Sequence, residues 1–184
     1  MRQRVITAVV ALAIFIPILY VGGIAVELAA AVLAGIGVYE LFRMKGLAIL
    51  SFEGVLAILG AIFLVLPAER WLPFLRGNNS NLTVMIILGF SVVSKNTYTI
   101  DEAGFPVVAS LYVGVGFQNL VTARAEGLSI LLFAFFVVWA TDIGAYMVGR
   151  QFGKHKLWPE ISPNKTIEGA LGGIASAVVV AVVF

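Results

Sequence analysis

A single carboxylate, Asp142, interrupts an apolar run that extends from Leu128 to Val148. At hydrocarbon depth a carboxylate costs about 3 kcal/mol on insertion scales, so it should face a protein interior, water or a cation. On a helix, Asp142, Tyr146, Gly149 and Gly153 follow at spacings of four, three and four and share one stripe. The two glycines let a ligand or another backbone come close. Two readings fit Asp142. It is a metal ligand or acid in a polar cavity, or a structural carboxylate paired with an Arg or Tyr of a neighbouring helix.

A basic, Gly-punctuated loop follows, with Arg150, Lys154, His155, Lys156 and Lys165. Lys154-His155-Lys156 suits the phosphates of a nucleotide or lipid. Such loops are equally the ordinary topology signal and attract anionic headgroups without specificity. The lone His155 fits a solvated loop residue better than a general base. Next comes Ser162-Pro163-Asn164-Lys165-Thr166. Ser162 reads as an N-cap and Pro163 as the first helical residue. The helix start would then offer free N–H groups and a positive dipole end to an anion. Lys165 in a first turn is unfavourable in an isolated helix, and a bound anion would offset it. Glu168 compensates the dipole in part. A capped interfacial helix with a solvated Lys is the alternative.

The elements that must position these residues are apolar. Of 184 residues, 61% are hydrophobic and 12% charged, with mean hydropathy +1.04. Long uncharged runs imply transmembrane helices, and their lack of alternation argues against spanning strands. The expected fold is all-α: a polytopic membrane helix bundle of about seven spans. There is no Cys, which excludes disulfides and thiolate chemistry, and His155 is the only His, which excludes a multi-histidine metal site. A net charge of +2 is too small to suggest nucleic acid.

The first run, Val5 to Val26, follows Arg2 and Arg4. It is too long for a signal peptide, and a second run follows almost at once. Gly22-Gly23 and Glu27 mark a reversal into a helix ending near Phe42, where Glu40 and Arg43 suit an ion pair. The third helix is expected over 47–66, with Glu53 inside it. A polar loop covers 67–81, its Asn-rich end read as turn. The fourth span starts at Leu82 and is the weakest. The fifth covers 105–121 with Pro106 in its first turn, and Arg124 and Glu126 form a loop before the sixth. The seventh opens at Glu168. Residues 1–127 read as scaffold and 128–184 as the start of a catalytic region. The charge-free end at Phe184 reads as a break inside a helix, so the expectation is the front part of a longer protein.

With the N-terminus inside and seven spans, Arg2, Arg4, Arg43, Lys45, Lys95, Arg150, Lys154, Lys156 and Lys165 fall on the cytoplasmic side. Arg70, Arg76 and Arg124 fall on the other. This positive-inside bias puts the 150–167 loop in the cytoplasm.

Two segments carry a resemblance. Trp139-Ala-Thr-Asp142-Ile-Gly-Ala-Tyr146-Met-Val-Gly149-Arg150-Gln-Phe-Gly153-Lys154 is followed by Ile161-Ser162-Pro163-Asn164-Lys165-Thr166-Ile-Glu168-Gly169. Together they resemble the phosphatidate cytidylyltransferase (CDP-diacylglycerol synthase) family, the second matching its Ser-Pro-x-Lys-Thr-x-Glu-Gly pattern. The resemblance implies a bacterial inner-membrane enzyme that joins CTP and phosphatidic acid into CDP-diacylglycerol and releases pyrophosphate. It implies Mg²⁺, with a second cation possible. Asp142 would be catalytic and a metal ligand, and Lys165 catalytic. Lys154, Ser162, Asn164, Thr166 and Glu168 would bind substrate, Asn164 occupying the pattern's variable position. CTP, phosphatidic acid and membrane lipid are the implied partners, and a homodimer is a possible assembly. The family's C-terminal signature, with its His-Gly-Gly and Asp-Arg-x-Asp, is not in these residues, so this piece alone is expected to be catalytically incomplete. From the residues alone, a transporter or channel subunit using Asp142 as an ion or proton site is the rival reading.

Overall fold

The computed structural model describes residues 2–67, 79–93 and 100–184, with side chains over 9–67, 81–89 and 103–184. Arg70, Arg76 and Lys95, used in the charge count, lie outside the described residues. The chain forms two compact units, Met1–Glu126 and Gly127–Phe184.

The first unit holds helices α1 (Arg2–Val21), α2 (Ile24–Met44), α3 (Phe52–Val65), α4 (Asn79–Val93) and α5 (Ile100–Glu126). Its core is built from small side chains at helical spacing. Ala30, Ala34, Val38 and Phe42 on α2 meet Ala57, Ala61 and Val65 on α3 and Ala109 on α5. In lipid the hydrophobic effect does not drive helices together, so close backbone approach through small residues supplies the attraction. Gly114 of α5 shows how close. A Cβ there would lie 2.8 Å from Leu64 Cδ1 and 3.1 Å from Ala61 Cα.

Both ends of this unit are fastened by cations. At one end Arg124 donates from Nε to the Leu19 carbonyl (2.6 Å) and from Nη2 to the Tyr20 carbonyl (3.0 Å). These are terminal carbonyls of α1, which its own turns leave unpaired. The expected reversal at Gly22-Gly23 is present, with φ of 72° and 55°, values that favour glycine. A Cβ on Gly22 would also sit 2.7 Å from Arg124 Nη2. At the other end Lys45 Nζ lies 4.1 Å from the Phe105 ring centroid, and Phe105 packs on Phe42 at 5.1 Å. Glu40 and Arg43 form the expected pair at 3.5 Å. Thus α5 begins where α2 ends and finishes where α1 ends, as alternating spans require.

The second unit is α6 (Leu128–Phe152), a hairpin of β1 (Lys156–Trp158) and β2 (Ser162–Thr166), and α7 (Ile167–Val183). The strands are antiparallel, with Lys156 opposite Thr166 and Trp158 opposite Ser162. The tip is a turn in which Ile161 N–H donates to the Trp158 carbonyl at 3.3 Å. Pro159 supplies the fixed φ that a turn favours at its second position.

The all-α expectation is met, with this hairpin added. Among the described residues three helices are long and apolar enough to cross a membrane: Ile24–Met44, Ala103–Glu126 and Leu128–Phe152. Val9–Val21, Phe52–Val65 and Ile167–Val183 are shorter apolar helices.

Several expected boundaries move. Helix α3 begins at Phe52 because Ser51 caps it, accepting from Gly54 N–H at 3.2 Å, so Glu53 stands in its first turn. The Asn-rich end of the polar loop is helical from Asn79. Pro106 lies inside α5 rather than in its first turn, and Arg124 and Glu126 are helical. The largest correction concerns Ser162-Pro163, expected to start a helix and found in β2. Thr166 caps α7 instead. Its extended backbone (φ −125°, ψ 155°) turns its hydroxyl to accept from Gly169 N–H at 3.1 Å. Lys165 therefore sits in a strand rather than in a helical first turn.

Candidate functional site

The site is built on a seam of glycines. Ala145 and Gly149 of α6 face Gly169 and Gly173 of α7. A Cβ on Gly169 would lie 2.9 Å from the Ala145 carbonyl oxygen and 3.1 Å from Gly149 Cα. A Cβ on Gly172 would lie 2.5 Å from Val148 Cβ, and one on Gly144 would overlap Ser176 Oγ. Only helices without side chains at these positions can approach so closely. The seam brings the start of α7, and with it β2, against one face of α6.

A cleft of ≈ 630 Å³ opens between α6, the hairpin and the first turn of α7. From α6 it is lined by Asp142, Tyr146, Gly149 and Arg150 among others. From the hairpin and the start of α7 come Ser162, Asn164, Lys165 and Thr166. The predicted stripe is therefore real, and Gly153, its fourth member, caps the C-terminus of α6. Asp142, Lys165 and Asn164 are exposed, Ser162 is partly buried and Thr166 is buried. Among the described residues no ion pair engages Asp142. Arg150, placed beforehand only in the basic loop, brings a second cation into the cleft.

Lys154 and Glu168 do not line the cleft. Glu168, at the hairpin end of α7, grips the chain where α6 gives way to β1. Its Oε2 accepts from Lys154 N–H at 3.1 Å, and both carboxylate oxygens accept from His155 N–H, at 3.2 and 3.3 Å. His155 Nδ1 lies 2.6 Å from Glu168 Oε1. An ionised carboxylate only accepts, so Nδ1–H is the donor and that tautomer is fixed. The His155 hydrogen bond, followed by backbone N–H groups, holds the Glu168 carboxyl well below its usual range, at about 2. The lone His, read as a solvated loop residue, thus has a defined partner, although its side chain is still 76% exposed.

The donor set bears on a metal. Among the described residues no three His, Cys, Asp or Glu side chains cluster. Asp142 is the single carboxylate lining the cleft, beside hydroxyl and amide oxygens. This does not suit a cage made wholly by protein. It fits Mg²⁺ held by one carboxylate and by phosphate oxygens of a bound substrate, a common arrangement for that ion.

The sequence is similar to known proteins along its whole length. A family model described as the cytidylyltransferase family matches residues 2–184. The phosphatidate cytidylyltransferase of Staphylococcus saprophyticus is 43% identical over 185 residues, which cover 100% of this chain and 71% of the relative. Its Staphylococcus epidermidis counterpart is 44% identical with the same coverage. That of Staphylococcus aureus is 41% identical over 182 residues, 98% of this chain and 70% of the relative. No solved structure matches. With the two motif segments brought onto one cleft and the match running from residue 2 to residue 184, the chain belongs to the cytidylyltransferase family.

Proposed function

We propose that the chain is a membrane-embedded phosphatidate cytidylyltransferase, and that the cleft between α6, the hairpin and α7 is where the nucleotide and lipid phosphates meet. The observation that carries this is the gathering of Asp142, Arg150 and Lys165, with Ser162, Asn164 and Thr166, on one cleft. The relatives bear the name of that activity, and they give no support to ion transport.

In the reaction, a phosphate oxygen of phosphatidate bonds to the α-phosphorus of CTP. The bond from that phosphorus to the bridging oxygen breaks, and pyrophosphate leaves. Little of the barrier calls for covalent help from protein. Positioning and charge stabilisation dominate phosphoryl chemistry of this kind. Lys165 and Arg150 would hold the triphosphate and offset charge on the departing pyrophosphate. Ser162 and Asn164 would orient phosphate oxygens. The buried Thr166 hydroxyl already accepts from Gly169 N–H, so it shapes the floor and can still donate its own proton. Asp142 would hold Mg²⁺ jointly with phosphate oxygens, and such an ion supplies charge neutralisation when bound.

The hairpin would face the cytoplasm of a bacterial inner membrane, where CTP is available. The Lys/Arg bias supports this orientation.

The test is conversion of phosphatidic acid to CDP-diacylglycerol by the full-length protein in lipid vesicles with CTP and Mg²⁺, alongside its Lys165→Ala variant. Removing one preorganised cation should lower kcat by about 100-fold or more. Full activity in Lys165→Ala would remove the cleft from the reaction.

A further inference from the structure

We propose that Glu168 and His155 form a positioning pair: together they latch the β-hairpin to the first turn of α7 and so hold Lys165, Asn164 and Ser162 over the face of α6 that carries Asp142. This rests on the phosphate-cleft reading given above, and it assigns Glu168 a role other than binding substrate.

Both hairpin strands are short and neither belongs to a larger sheet. Two-stranded ribbons of this size are marginal by themselves. Their exposed residues, from Lys156 to Lys165, bury little that could hold them. What fixes the ribbon is its base. On one side β2 runs directly into α7 through the Thr166 cap. On the other, the chain leaving α6 would be free to swing, because Gly153, Lys154 and His155 are exposed. Glu168 closes that side. One carboxylate takes the N–H groups of Lys154 and His155 and the Nδ1–H of His155. The His155 carbonyl then accepts from Ile167 N–H at 2.9 Å. A single residue is thereby held from both directions by the first two residues of α7. Neither Glu168 nor His155 lines the cleft, so their effect on the reaction passes through the hairpin.

The experiment combines kinetics with amide hydrogen exchange on the protein in vesicles or detergent, for Glu168→Gln, His155→Ala and His155→Asn. Asn places a side-chain N–H where Nδ1–H stands, so it restores the donor without restoring an imidazole. The latch predicts faster exchange over 154–166 in His155→Ala and Glu168→Gln, with the α6–α7 glycine seam still protected. It predicts a loss of about 10- to 100-fold in kcat/KM for CTP, the usual scale for misplaced or unsupported site groups. It also predicts recovery of both properties in His155→Asn.

Other results overturn it. If exchange over 154–166 is unchanged while activity collapses, Glu168 or His155 touches substrate and the latch is wrong. If His155→Asn is as impaired as His155→Ala, the imidazole itself is needed and the latch is again wrong. If neither exchange nor activity changes, the pair does nothing. Should the full-length wild type itself fail to convert CTP, the cleft reading falls, while the exchange arm still decides whether the pair holds the hairpin.

Discussion

Glu168 shows what one residue's environment does to the behaviour of the site. Its carboxyl is held at about 2 against an ordinary 4.5, chiefly by His155 and then by backbone N–H groups. A lowered folded value means that the ionised form stabilises the fold. That contribution is fully present above about 4.5 and is lost as pH falls through about 2. The group is 25% exposed, so solvent screens part of the effect. Amide protection over Lys154–Thr166, measured relative to the intrinsic exchange rate at each pH, should therefore fall between about pH 4.5 and pH 2, and Glu168→Gln should flatten that dependence. An equally steep response in the Gln variant would assign it to other groups. At this scale the sequence was informative. Asp142 stood out because a carboxylate in an apolar run is costly, and it does line the cleft. The partnership of His155 and Glu168 was not legible, because the folding of the twelve residues between them into a hairpin decides whether they meet.

Between elements, the deciding feature is the absence of side chains along the α6–α7 seam. Replacing Gly172 with Ala would place a Cβ 2.5 Å from Val148 Cβ and Cγ2. The valine is branched at the clash and has little room to turn. The two helices must separate, at about 1–3 kcal/mol. Gly172→Ala should lower the unfolding midpoint and widen the cleft, raising KM for CTP. Gly116→Ala meets nothing within 4 Å and should be silent in the same assays. Equal behaviour of the two variants would contradict the seam. The helices themselves could be read from apolar runs, but the hairpin was missed. Ser162-Pro163 has the form of a helix start, and Thr166 has an equally good capping side chain. The alternatives were separated by pairing: Lys156 opposite Thr166 keeps residues 162–166 extended. Trp158-Pro159-Glu160-Ile161 was the available signal, a turn with Pro at its favoured position.

For the molecule as a whole, the organising constraint is the bilayer. Helices Ile24–Met44, Ala103–Glu126 and Leu128–Phe152 are long enough to cross it, and α6 delivers the hairpin to one side. The chain lacks Cys, so single cysteines report topology without background. Lys156→Cys and Lys45→Cys should react with an impermeant maleimide only when the cytoplasmic face is open to it, and Glu126→Cys only from the other face. Labelling of Lys156→Cys and Glu126→Cys from the same side would refute the orientation. The number of spans was less legible than the presence of helices, because hydropathy marks apolar runs while capping decides where each helix stops. Ser51 shortens α3 to 14 residues for that reason. The polar residues that would decide the loop after α3 fall largely outside the described structure.

If the α6–hairpin–α7 cleft is where cytidylyl transfer takes place, Asp142 is the residue to change, because it is the cleft's one carboxylate. The measurement is CTP- and Mg²⁺-dependent formation of CDP-diacylglycerol by the full-length wild type and its Asp142→Asn variant, with amide exchange of the glycine seam as the control for folding. Asn, similar in shape but uncharged, should leave the seam protected and lower kcat by about 100-fold or more. An active wild type beside an equally active, folded Asp142→Asn would contradict it.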